Sequence, residues 1–127
     1  MERKKYFFDI RSWLCLLMAV VCIVILWKYS WQKLEIAFAL GQTKVFNDMM
    51  TDAEKITDPY KLSGYLEYVI LYYPSGTRIR KDSPLDKMVE IERSYAVKTI
   101  IERFHVTTGK DLGDTPEKWF IEYPPPR

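Results

Sequence analysis

From Ser12 to Trp27 the chain reads "SWLCLLMAVVCIVILW", sixteen residues without a charge. A helix needs about 20 apolar residues to cross a bilayer core. Arg11 and Lys28 flank the run with side chains long enough to snorkel, and "YSWQ" carries its character on to Lys33. Trp13 at one end and Trp27, Tyr29 and Trp31 at the other suit the two aromatic belts of a span. Trp13 to Trp31 would cover about 27 Å at the helical rise. Beyond it the pattern turns amphipathic: Trp31, Leu34, Phe38, Val45, Met49 and Ile56 fall within about 60° of one another at 100° per residue. Without a proline before Pro59, one helix is expected from about Asp9 to Ile56, with Gly41 weakening but not breaking it.

The remaining pattern is punctuated by "TDPYK", "DSPLD" and "DTPEK", each with Asp, Ser or Thr directly before proline. Proline is tolerated in a helix's first turn, and the preceding oxygen side chain caps orphan amides. Three helix starts follow, unevenly spaced and so not a repeat. The second helix is expected from Pro59 to about Tyr73, with Leu62, Leu66, Val69, Ile70 and Tyr73 inward and Tyr60, Tyr65, Tyr68 and Tyr72 on other faces. The third, Pro84 to about Thr107, has one apolar flank in Leu85, Val89, Ala96, Ile100 and Phe104 and another in Met88, Ile91 and Tyr95. Two flanks predict a central helix wedged between neighbours. A short fourth runs from Pro116 to about Ile121.

The reading is therefore all-α, with a basic cytoplasmic tail over 1–11 and a transmembrane helix over 12–31. A juxtamembrane amphipathic helix follows over 32–57, then a small helical domain over 58–122 and a proline-rich tail over 123–127. A cleaved signal would have an apolar part of about 7–15 residues ending at small residues. Here "LWKYSW" follows, "AFA" at 37–39 lies too far downstream, and Val21 is too bulky to precede a lipidated Cys22. The run reads as an uncleaved anchor.

Charge sets the expected orientation. Arg3, Lys4, Lys5 and Arg11 precede the span against Glu2 and Asp9, which places the N-terminus in the cytoplasm. The helical domain is then outside the plasma (inner) membrane, exterior or periplasmic. Of 19 Lys/Arg and 17 Asp/Glu, five and two precede Lys33, leaving 14 against 15. A near-neutral domain argues against a nucleic-acid partner. Cys15 and Cys22 both lie in the span, so the domain has neither disulfide nor thiolate metal site.

Candidate chemistry is sparse. "TTGKDLGDTPEKWF" could be a phosphate grip, but position 104 is Phe and position 111 is Asp where a phosphate loop needs glycine and Ser/Thr. A calcium loop needs more alternating oxygen ligands. Helix punctuation fits instead: Gly109 as a left-handed cap, Asp114 and Glu117 as a capping box, Trp119 and Phe120 folding back as plugs. The sole histidine, His105, sits where a helix C-terminus favours a cation. Asp48, Asp52 and Glu54 read as a solvated face, as do Glu90, Glu92 and Arg93. Glu67, set among the tyrosines, is the one carboxylate where partial burial would matter, and it is expected instead to face water or a lysine. No catalytic set, cofactor or metal site is expected.

Binding fits better. Ser12, Cys15, Ala19 and Cys22 form a small-residue seam of the kind that lets membrane helices approach closely. Trp31, Leu34 and Phe38 offer a second helix–helix surface just beyond it. The tyrosine surplus between Tyr60 and Tyr73 suits an interface, where a ring is buried while its hydroxyl stays wet; the alternative in so small a domain is that these rings finish the core. "GYLEYVILYYPSGT" followed by "DLGDTPEKW" resembles the core of small uncharacterised bacterial proteins with one N-terminal membrane span. The likeness covers about Asp58 to Tyr123, implies a cell-envelope setting, and brings no activity or site residue. The expectation is a bilayer-anchored domain for interaction with a protein partner or for homo-oligomeric assembly. The alternatives are a membrane-tethered sensor of a small ligand or ion, and an enzyme with an unrecognised site.

Overall fold

The computed structural model describes residues 10–126. Arg3, Lys4, Lys5 and the helix start expected at Asp9 lie outside the described residues. Within them the protein is all-helical: α1 (Ile10–Ala53), α2 (Pro59–Leu71), α3 (Pro84–Thr108) and α4 (Pro116–Glu122). The chain divides into two compact units, Met1–Leu34 and Glu35–Arg127.

In the first unit every described residue is exposed. Here α1 is long and apolar enough to cross a membrane, and none of its most apolar window is buried, unlike the core helix of a soluble protein. The Lys33 ammonium lies 4.6 Å above the Tyr29 ring, a cation held on an aromatic face.

In the second unit α1 buries Ala39, Gln42, Phe46, Met50 and Ala53, spaced by three and four so that they share one face. This corrects the expected stripe. Phe38, Met49 and Ile56 only flank the core, while Trp31 and Leu34, in the first unit, are exposed. The buried stripe starts at Ala39 and runs one residue out of phase with Phe38, Val45 and Met49, and small Ala39 and Ala53 and polar Gln42 carry little hydrophobic signal. Helical structure continues through Gly41, where an added Cβ would meet nothing within 4 Å.

The proline-led starts form as their chemistry dictates. The Asp58 carboxylate accepts from the Tyr60 amide at 3.0 Å, and Ser83 Oγ from the Asp86 amide at 3.2 Å. The third start differs from the expected capping box. Thr115 is the cap residue, with no side-chain cap bond, which makes the third helical position Lys118 rather than Glu117. Glu117 instead favours the helix's positive end. α3 ends at Gly109 in the left-handed region (φ 66°), whose amide donates to the His105 carbonyl.

The core gathers Phe46, Leu62, Leu66, Val69, Val89, Ala96, Ile100, Phe104 and Trp119. Trp119, wholly buried, stacks on Phe104 at 4.7 Å, and its Nε1–H donates to the Gly113 carbonyl at 2.9 Å. Phe120 is half-buried beside it. The wedged reading of α3 does not hold: Met88, Ile91 and Tyr95 face solvent, Ile91 at 68% exposure. Only the flank from Val89 to Phe104 is core.

Candidate functional site

The expected interface residues fall in different settings. Ser12, Cys15, Ala19 and Cys22 are all exposed on α1, and Arg11, Ser12, Cys15, Leu16 and Ala19 border one shallow hollow. Trp31 and Leu34 are exposed, whereas Phe38 packs against the core of the second unit with the Arg78 guanidinium 5.0 Å above its ring. Phe38 is thus tied into the fold. The seam remains an open helical face.

A different surface stands out on α2. Leu62, Leu66 and Val69 bury one side, so helical spacing turns Lys61, Gly64, Tyr68 and Leu71 to the other. Leu71 is 63% exposed and Tyr68 45%. Tyr68 stacks on Tyr72 at 5.1 Å, and Tyr72 meets the edge of Tyr73 at 4.7 Å, making a continuous aromatic wall. Burial, followed by the nearness of Tyr68 and Tyr73, raises the Tyr72 hydroxyl above its ordinary value against the opposing pull of Arg78. It stays protonated at neutral pH and can donate. Glu67 is half-buried on the rim.

Two buried charges fix the end of this wall. Arg93 of α3, only 8% exposed, uses all five N–H groups. Nη1 donates to the carbonyls of Val69 and Ile70, and Nη2 to those of Tyr72 (3.0 Å) and Tyr73 (2.8 Å). Nε pairs with Glu90 at 3.2 Å, and the guanidinium lies 4.9 Å above the Phe46 ring. The reason lies in the sequence: α2 ends before Pro74, which has no N–H for the Ile70 carbonyl. The guanidinium supplies the missing donors and puts a cation at the negative helix end. It also holds Tyr73 at φ 43°, a conformation unfavourable for a residue with a Cβ.

Asp86 performs the matching task on the connection between α2 and α3. Its buried carboxylate accepts from Ser75 Oγ, the Asp82 amide at 2.9 Å and the Gly76 amide at 3.4 Å. Burial alone would raise its pKa, but these bonds and the charge of Lys81 outweigh it and hold the carboxyl below the usual range. Arg93 was expected on a solvated face; burial corrects that. Nothing local distinguishes it, since its partners lie about 20 residues away in sequence.

His105 is structural. Its Nδ1 lies 2.9 Å from the Lys110 carbonyl, so that nitrogen carries the proton, and its ring stands edge-on to Trp119 at 5.1 Å. Among the described residues no group of three or more His, Cys, Asp or Glu is placed to hold a metal ion.

Sequence reasoning missed one feature of the α2 face. Pro126 returns over Gly64, where an added Cβ would come within 3.3 Å of the proline ring. A lone glycine inside a helix, followed later by "YPPP", was its available signal. No known protein family, curated protein or solved structure matches this chain.

Proposed function

We propose that this is a single-pass membrane protein whose helical unit engages a protein partner at the cell envelope. The observation that carries this reading is the exposed aromatic face of α2, from Gly64 through Tyr68 to Leu71. Large apolar side chains kept in water at regular helical spacing mark an interaction surface. Tyrosine suits such a surface because it buries area with few rotamers to freeze.

A photoreactive amino acid placed at Tyr68 in cells should yield an adduct of defined mass, whereas the same group at exposed Lys98 should not. Equal adducts at both positions, or none at Tyr68, would remove the interaction role. The four cations before the span place the N-terminus in the cytoplasm under this proposal. A reporter fused after Arg127 should then be active only outside; cytoplasmic activity would reverse the orientation.

The seam of Ser12, Cys15, Ala19 and Cys22 gives the span a route to self-assembly. In membranes, mild oxidation should link Cys15 or Cys22 to its counterpart in a second copy. A cysteine at Val20 or Ile23, in a chain lacking the native pair, should not link. Ala19→Leu should abolish the native cross-link by holding the backbones apart. Linking from every face would mean random collision.

A further inference from the structure

The tyrosine face of α2 is partly covered by the chain's own proline-rich segment. Pro124, Pro125 and Pro126 each lock φ near −65°, and Pro124 and Pro125, each followed by proline, are driven to extended geometry, while Tyr123 turns off α4 at φ −130° and ψ 82°. Such a run forms a left-handed polyproline helix, with its carbonyls free of internal hydrogen bonds. It leaves α4 at Tyr123, whose ring meets the edge of Tyr60 at 5.7 Å. Pro126 then rests on Gly64. That glycine has ordinary helical geometry, so backbone conformation gives no reason for it. Its missing side chain makes the seat for the proline ring.

The seat lies between two hollows that share Gly64, Tyr68 and Pro126. One, of about 320 Å³, continues toward Met49 and Tyr65. The other, of about 530 Å³, continues toward Leu71, Tyr73 and Pro74. Pro126 borders both and leaves each open. A longer segment of the same form would reach into both, set its rings against tyrosine faces, and offer carbonyls to the tyrosine hydroxyls. Polyproline segments dock in this manner on aromatic grooves, since their conformation is set before binding and little entropy is lost.

We propose that the α2 face is a receptor for a proline-rich polyproline segment of a partner polypeptide, partly covered in cis by the chain's own Pro126. This rests on the interaction reading above and names the partner's chemistry. Exchange of these prolines with a second copy is the weaker reading. The segment already sits on its own chain at high effective concentration, and exchange would add no new contact. A partner with a longer proline run gains what the short one cannot reach.

The test uses the full chain in detergent micelles and a fluorescein-labelled decaproline peptide, with anisotropy as the readout. Replacing all three prolines (P124S, P125S, P126S) should tighten decaproline binding about tenfold over wild type by removing the internal competitor. Adding Tyr68→Ala should reverse that gain, and near-ultraviolet circular dichroism shows whether the fold is kept. Tyr68→Phe, which retains the ring, should keep most of the affinity.

No binding by the triple variant, equal binding by wild type, or indifference to Tyr68→Ala in a folded protein would each overturn the proposal. So would a dimer in wild type that dissociates in the triple variant, since the occupant would then be a second copy. The broader reading fails separately. Persistent adducts at Tyr68 in cells with inert decaproline would sink only the polyproline assignment.

Discussion

The ends of α2 and α3 solve one problem in opposite ways. Every helix leaves its last carbonyls without intrahelical donors. α3 closes its end locally, with Gly109 in the left-handed region and its amide turned back to the His105 carbonyl. α2 stops at Tyr72 and Tyr73 before Pro74, where no glycine stands, and its carbonyls are satisfied by Arg93 from the middle of another helix. A local closure works wherever its helix forms. A long-range closure works only when the whole unit is assembled, so it couples α2, its aromatic face and the following connection to α3.

The most severe break of that contrast is Arg93→Met. It keeps much of the volume but leaves the buried carbonyl of Val69 and the part-buried carbonyls of Ile70, Tyr72 and Tyr73 without their donor. Truncating one side of a buried charged network costs about 3–5 kcal/mol. Urea unfolding of the full chain in micelles, followed by near-ultraviolet circular dichroism, measures it. Arg93→Lys should recover less than half, because an ammonium cannot reach both sides of the fork. A loss as small as that of an ordinary surface substitution would show that the α2 end is held by packing alone.

Asp86 should come next, and it gives the α2–α3 connection a pH edge. Its folded pKa is depressed, so the unfolded chain binds the proton more readily and stability rises with pH across that interval. The contribution is complete above the ordinary aspartate value, near 3.8, and is lost as pH falls through the lower folded value. Asp86→Asn should cost about 1–3 kcal/mol at neutral pH. The variant's stability should also change less than wild type's between pH 4 and lower pH. Parallel acid curves for the two proteins would mean that other carboxylates govern acid unfolding.

Gly109→Ala tests the local closure. An added Cβ meets nothing within 4 Å, so its cost is the left-handed backbone alone, about 1–2 kcal/mol. Gly109→Asn should recover part of that, since asparagine tolerates this region better than other residues. A loss matching Arg93→Met would mean that the α3 end also anchors distant parts of the unit.

The same contrast explains what could be read from the sequence. Gly109, the Asp-Pro start at Pro59 and the Ser-Pro start at Pro84 act through neighbours one to four residues away, and their meaning survives without a structure. The tyrosine surplus of α2 was legible as rings on more than one face, but not which of them pack on the core, as Tyr65 and Tyr72 do, and which stay exposed, as Tyr60 and Tyr68 do. Arg93 and Asp86 sit in stretches that look like solvated charge, and only partners brought together by folding make them interior residues. The α1 stripe was misplaced for a related reason. Ala39, Gln42 and Ala53 are buried by what approaches them, while Trp31 and Leu34 carry more apolar character yet lie outside the helical unit. The Pro126 seat joins residues far apart in sequence through the absence of a side chain at Gly64, which no periodicity reports.

The smallest expected effect lies beside the α3 end, where Lys110 pairs with Glu122 and sits 5.4 Å above the Tyr123 ring. The hydrogen bond to Glu122, then that to Tyr123, raises the Lys110 pKa above its ordinary value. A raised lysine contributes fully below its unfolded pKa of about 10.5 and loses that contribution only as pH rises through the folded value. Both partners are substantially open to solvent, at 47% and 42% side-chain exposure, so water and salt screen the pair. Lys110→Gln should therefore unfold at the same urea midpoint as wild type at neutral pH, in low salt and in high. The Lys110 amide still donates to Thr108 Oγ1, and its carbonyl still accepts the His105 Nδ1 proton, because both contacts use backbone atoms of Lys110. A clear midpoint shift that disappears in high salt would show that charge supports the α3 end as well, and the division between a charge-held α2 end and a glycine-closed α3 end would then be withdrawn.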